Sequence, residues 1–230
     1  LTDYEKYIRT DELLGLQKPA NTLAHHDELQ FQIVHQVAEL WMKLIEHEMT
    51  EVKRAMEGNE PATALHSLER ITRTQGLLHD QLALLDTMAP RSYMKIREVL
   101  GRGSGQESPG FKALCRLPEL VWPSFLSLLG QRGITIREIY DAPEQQRELF
   151  LLAEALLDFD QNLQRWRYRH LIMVYRQIGV ATVSLKGKPS ELLAEGMKHR
   201  FFPALWEVRD ELYAAWTRAN PKGAEYGYHG

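Results

Sequence analysis

His170 stands in line with apolar residues. Leu149, Leu152, Leu156, Phe159, Leu163, Trp166, His170 and Met173 follow one another at steps of three and four, the spacing that places side chains on one face of an α-helix. A histidine in that register must find a partner for its ring nitrogens, because an unpaired buried polar group costs about 1–3 kcal/mol. Two chemistries meet the need. One is a hydrogen bond to a backbone carbonyl or carboxylate, the commoner arrangement for a core histidine. The other is ligation of a metal or a haem iron, since helical bundles hold their cofactors among core side chains.

His35 is a second candidate, with Phe31 one helical turn before it and Glu39 one turn after. By pattern alone it too reads more readily as a structural histidine. Tyr93 and Arg97, four residues apart, share a helix face. A guanidinium beside a phenol suits capture of a carboxylate, and a surface arginine with a stacked tyrosine is the plainer reading. His25 and His26 precede Asp27 and Glu28. Adjacent residues on a helix face different ways, so this run reads as a helix start with acidic residues in its first turn. Gly101, Gly103 and Gly105 follow a helix rather than a strand and fit no dinucleotide fingerprint, so they read as a flexible loop.

The elements that must position these residues are helical. Ile33, Val37, Leu40, Leu44, Ile45, Met49 and Val52 recur at helical spacing within a stretch from Leu29 to Met56. Leu65, Leu68, Ile71, Gln75, Leu78, Leu82 and Leu85 do so in a second stretch that ends near Ala89-Pro90. A shorter helix is expected over Ser92 to Leu100, then a loop from Gly101 to Gly110. Pro118 and Pro123 are expected to break any long helix beyond it, leaving short ones at Phe125–Leu129 and Ile134–Tyr140. Asp141, Pro143 and Glu144 look like the start of the helix that carries His170 and runs to about Gly179. After a loop at 181–189, helical stretches are expected over 190–198 and 203–218. Ile134-Thr135-Ile136 is the kind of isolated β-branched run that alone could form a strand. The fold class is all-α, a helical bundle in one domain of residues 1–230.

Composition bounds the partners. The chain of 230 residues has a net charge of -3 and no Lys/Arg run, which argues against nucleic-acid binding by bulk charge. No stretch approaches the roughly eighteen consecutive apolar residues of a membrane span. The opening residues lack the apolar run of a signal peptide. Cys115 is the single cysteine, which leaves no intrachain disulfide and no Cys-rich metal site. A reducing cytoplasm is the expected location.

Taken together, the motifs resemble one family. His26-Asp27-Glu28-Leu29, Phe31, His35-Gln36 and Glu39-Leu40-Trp41-Met42-Lys43 are similar to the N-terminal signature of the tryptophan 2,3-dioxygenases. These are haem enzymes that open the indole ring of L-tryptophan with dioxygen. Ser92-Tyr93-Met94 with Arg97 and Val99-Leu100-Gly101 resembles their substrate-carboxylate segment. Trp166-Arg167-Tyr168-Arg169-His170 with Val174, Arg176, Ile178 and Gly179 resembles the proximal-ligand helix. Phe201-Phe202-Pro203 with Leu205-Trp206 and Val208-Arg209 resembles the C-terminal helix start, and Tyr4, Tyr7, Asp11 and Leu13-Leu14 match the opening segment. The similarity is nearly end to end and is weak only between about residues 106 and 155.

The resemblance implies roles. His170 would be the proximal ligand of a haem b iron, with Trp166 beside the haem. His35 would bond the indole nitrogen or bound O2, the co-substrate. Arg97 would pair with the substrate carboxylate, and Tyr93 and Phe31 would line the pocket. Tyr4 and Tyr7 would reach a neighbouring subunit's site, since family members form tetramers with exchanged N-terminal segments, here residues 1–20. Three departures stand out. Ser184 falls where the family has the threonine that binds the substrate ammonium, in a stretch, 181–189, that has lost most of the family's loop glycines. Leu82 stands where the family has a tryptophan. The region between Arg97 and His170 is short. The expected reaction is 2,3-dioxygenation of L-tryptophan or a close derivative to N-formylkynurenine. The altered loop keeps a single-oxygen insertion on a tryptophan-like indole open as an alternative, and a non-catalytic haem-binding sensor is the rival from another class.

Overall fold

The structure, a computed structural model, describes residues 1–101, 103, 105–180 and 199–220. Its helices are α1 (Asp3–Ile8), α2 (Thr10–Leu14), α3 (Glu28–Glu57), α4 (Pro61–Asp80), α5 (Leu82–Leu85), α6 (Pro90–Val99), α7 (Pro109–Leu114), α8 (Leu117–Arg132), α9 (Ile136–Asp141), α10 (Arg147–Ile178) and α11 (Pro203–Ala219). No strand occurs among the described residues. The all-α expectation holds.

Local chemistry sets the helix ends. Thr2 with Glu5 and Thr135 with Glu138 form capping boxes at the starts of α1 and α9. Pro90 and Pro203 open α6 and α11, where a missing N–H costs nothing. Gly133, at φ 64°, closes α8.

Several boundaries differ from expectation. Pro118 and Pro123 do not break the chain. Both fall in the first half of the 16-residue α8, with Pro118 at its first turn, where proline is tolerated. Thr135 caps α9, so its β-branched neighbours form no strand. Asp141 ends α9 rather than opening the next helix, and α10 begins only at Arg147. The second long helix stops at Asp80, and Leu82 and Leu85 lie on the separate short α5. A helix begins at Pro109, inside the expected loop. The expected helix at 190–198 lies outside the described residues.

The chain divides into two compact units, and the division falls inside α3, α4, α7 and α10. The first contains Leu1–Lys43, Gly76–Ala113 and the described part of Arg165–Lys198. Its core is Val34, Leu82, Leu85, Met88, Ile96 and Met173, with Phe31, Tyr93, Leu100, Trp166 and Val174 packed against it. The second has its own core, which includes Ile45, Met49, Ile71, Phe125, Phe159 and Phe202, all fully buried. There the fully buried Asp160 accepts from the Phe201 N–H (2.9 Å), the Trp206 indole N–H (2.8 Å) and the Gln164 amide (3.1 Å). A buried carboxylate so surrounded has its lone pairs satisfied.

In the first unit α3 presents a different stripe from the one its apolar spacing suggests. Val34 and Met42 are buried, whereas Ile33 and Leu40 are exposed. The inward face of this half of α3 also carries His35, Ala38 and Glu39, and it borders a cavity.

Candidate active site

The cavity lies wholly within the first unit and holds about 180 Å³. α3 contributes Val34, His35, Ala38, Glu39 and Met42 to its wall. Gln81 and the α5 residues Leu82 and Leu85 form a second side. Gly105, Ser108 and Phe111 form a third, and α10 supplies Trp166, Arg167 and His170. Most of this surface is apolar, with a few convergent polar groups, which is the composition of a small-molecule site.

His170 lines the cavity, and no protein group among the described residues hydrogen-bonds its ring. Burial pushes its pKa down to about 4, with a smaller push from the nearby His35, so it is a neutral imidazole. Trp166, one turn earlier, stacks on it with ring centroids 5.4 Å apart and planes 18° from parallel. The Trp166 indole N–H donates to the Leu78 carbonyl at 3.1 Å. A neutral imidazole with an unclaimed lone pair, oriented by a tethered neighbour, is a donor that fits haem iron.

His35 takes a different posture. Its Nδ1 lies 2.7 Å from the Phe31 carbonyl, which makes Nδ1–H the donor and leaves Nε2 as an acceptor. The ring has accessible surface because it faces the cavity, yet the surrounding protein desolvates it and lowers its pKa. The Phe31 bond and the Glu39 charge oppose that shift. Phe31 packs against the His35 ring at 4.1 Å between centroids and faces Tyr93 at 6.2 Å. Tyr93 has its pKa raised by burial and partly restored by the charge of Arg97, one turn on along α6.

The break between α4 and α6 would expose backbone carbonyls, and α10 side chains occupy them. Trp166 takes Leu78, and the buried Gln177 amide donates to Leu85 (2.8 Å) and Met88 (3.1 Å). Arg169 forms an ion pair with Asp86. The helix bearing His170 therefore holds the wall that bears Leu82 and Leu85.

The structure thus brings His35, Trp166 and His170 onto one cavity, with Phe31 packed on His35 and facing Tyr93, while Phe31, Tyr93 and Arg97 are not among the residues that line it. Tyr4 and Tyr7, on α1, do not line it and are 70% and 89% exposed. Ser184 lies outside the described residues. Sequence reasoning did not single out Glu39, Ser108 or Phe111 as parts of a site. Ser108-Pro109 was a readable signal, since serine before proline marks an N-cap and a first helical position.

An all-helical chain that turns two neutral imidazoles onto one apolar cavity has the site of a helical cofactor-binding enzyme. The profile of a family described as tryptophan 2,3-dioxygenase matches residues 2–117 and 124–212. A tryptophan 2,3-dioxygenase of Serratia proteamaculans is 29% identical over 262 aligned positions, covering 92% of this chain and 93% of that protein. Those of Kineococcus radiotolerans (30%, 91% and 91%) and Erythrobacter litoralis (31%, 91% and 98%) are similarly matched. The chain belongs to the tryptophan 2,3-dioxygenase family, and it is an enzyme of that haem-dependent oxygenase class. No helix among the described residues is long and apolar enough to cross a membrane.

Proposed function

We propose that this enzyme uses dioxygen to oxidise the indole ring of L-tryptophan or a close derivative, inserting both oxygen atoms across the 2,3 bond to give N-formylkynurenine. The observation that carries the reading is the pair of neutral imidazoles on one cavity, one with no hydrogen bond among the described residues and one with a single open acceptor. The relatives' names supply the substrate class.

His170 would hold a haem b iron from the α10 side, and Trp166 would keep the imidazole plane fixed. When bound, the haem supplies the activation of dioxygen that amino-acid side chains lack. His35, held by the Phe31 carbonyl, presents Nε2 to accept the indole N–H and so orients the ring. Phe31 gives that ring an apolar neighbour. Tyr93, which faces Phe31, and Arg97 would meet the amino-acid carboxylate, and Ser184 would take the ammonium. Positioning of this kind supplies much of the rate in a reaction whose reactive species the cofactor generates. The 181–189 segment departs from the family's glycine loop, and Ser184 keeps the hydroxyl of the threonine it replaces.

Tyr4 and Tyr7 would complete a neighbouring copy's site in a homotetramer. No residue of α1 or α2 is buried, and Tyr4, Tyr7, Leu14 and Leu16 expose large apolar surface that a second copy would cover. The protein would work in the cytoplasm.

The test is aerobic incubation of the ferrous haem-loaded protein with L-tryptophan under oxygen-18. A ring-opened product carrying two labelled atoms supports the proposal. A ring-closed product carrying one label would establish the monooxygenase reading instead.

A further inference from the structure

We infer that Glu39 is a positioning residue whose carboxylate clamps the Ser108–Phe111 segment to α3 and thereby fixes the aromatic wall that selects the indole ring. This rests on the substrate class proposed above and concerns the same cavity.

Glu39 follows His35 by one helical turn and lines the cavity. A carboxylate there is open to two uses, as a proton acceptor for substrate or as a support for the wall. The hydrogen bonds decide. Oε1 accepts from the Ser108 hydroxyl at 2.5 Å, and Oε2 accepts from the Gly110 N–H at 3.0 Å. Both oxygens are engaged by protein donors, so the group is built to hold a segment. The Ser108 Oγ in turn accepts from the Phe111 N–H at 3.0 Å, which makes Ser108 the N-cap of α7. Two of the free N–H groups at the start of α7 are thus satisfied, one by Ser108 and one by a carboxylate from another helix.

Gly110 shows how close the approach is. A Cβ there would stand 2.7 Å from Glu39 Oε2 and 2.8 Å from the Met42 Cβ. Only glycine lets the segment lie this near α3.

The clamped segment ends in Phe111, and Phe111 reaches the opposite partner. Its ring lies 5.6 Å from the Trp166 ring, and the Arg167 guanidinium sits 5.6 Å from its centroid. Glu39 therefore links the helix of His35 to the helix of His170 through one aromatic side chain. Releasing the clamp would free Phe111 to shift, widening the place where an indole ring lies without touching either imidazole.

The experiment compares haem-loaded wild type, Glu39→Gln and Ser108→Ala. Glutamine keeps one acceptor but turns an NH2 toward a donor, whereas Ser108→Ala leaves the Gly110 bond intact. Three quantities are read: amide hydrogen exchange at Gly110 and Phe111, the Soret band, and kcat and KM for L-tryptophan and a ring-methylated tryptophan. In Glu39→Gln we expect exchange at both amides to be about tenfold faster, as for loss of a charge-assisted hydrogen bond. The Soret band should be unchanged, KM for L-tryptophan should rise, and the wild-type preference between the two substrates should shrink. Ser108→Ala removes the acceptor of the Phe111 N–H itself, so exchange should speed at Phe111 while Gly110, still bonded to Glu39, stays protected. Unchanged exchange overturns the clamp. Faster exchange with an unchanged substrate preference overturns its role in selection. Wild type that turns over neither substrate would sink the functional reading, while the exchange rates would still decide the clamp.

Discussion

Trp166 and His170 stack nearly parallel, 5.4 Å apart, while the Trp166 indole N–H is tied to the Leu78 carbonyl. One residue thus faces two ways, toward the imidazole and toward the end of α4. Trp166→Phe keeps an aromatic ring and strands the Leu78 carbonyl, which should destabilise the chain by about 1–3 kcal/mol. Urea midpoints of the two proteins measure this. Equal midpoints would mean that water replaces the indole there.

His170→Ala should remove the Soret band of protein grown with ample haem, and added imidazole should restore part of it. Retention of the full band without imidazole would assign the iron to another residue.

His35→Ala should keep the Soret band and slow turnover, because the acceptor for the indole N–H is lost. The pH dependence follows from the same ring. Burial lowers its pKa below the ordinary 6.5, so the neutral form survives to lower pH and the acid limb of kcat/KM should lie below 6.5. Glu39 on the same helix opposes that shift, and Arg167 and His170 share the cavity. Removing the Glu39 charge should move the limb further down. A limb above 6.5 would show that His35 is not the group titrating.

Arg97→Ala should act on binding. If Arg97 meets the substrate carboxylate, its loss weakens affinity by roughly 1.5–3 kcal/mol, the worth of a hydrogen bond to a charged group. Spectral titration of the haem with L-tryptophan reads it, and an unchanged dissociation constant would remove Arg97 from the site.

Asp160→Ala should unfold the second unit's C-terminal docking. It leaves the Phe201 N–H and the Trp206 indole N–H buried without acceptors, at about 1–3 kcal/mol each. Thermal melting reads the loss.

The sequence made the α10 stripe legible because that face of the helix is core from Leu149 to Leu163 and again at Met173, and Trp166 and His170 stay in register with it. α3 misled in its first half. Its apolar spacing picked out Ile33 and Leu40, which are exposed, because the face of this stretch turned inward serves a cavity and carries His35 and Glu39 instead. Pro118 and Pro123 were read as breakers, yet Pro118 sits at the first turn of α8, where no N–H is needed, and the helix continues through Pro123. Glu39 was hidden for a simpler reason. Its partners lie 69 and 71 residues away, beyond any local pattern.

Trp166 and Gln177 grip Leu78, Leu85 and Met88 by their carbonyl oxygens, which every residue type carries. The segment of Leu82 and Leu85 is thereby held by its backbone as well as by the burial of those two side chains. Evolution, or a directed library, can exchange the cavity-facing groups there while the backbone stays moored. This wall is the place where a new substrate preference can be written without rebuilding the site.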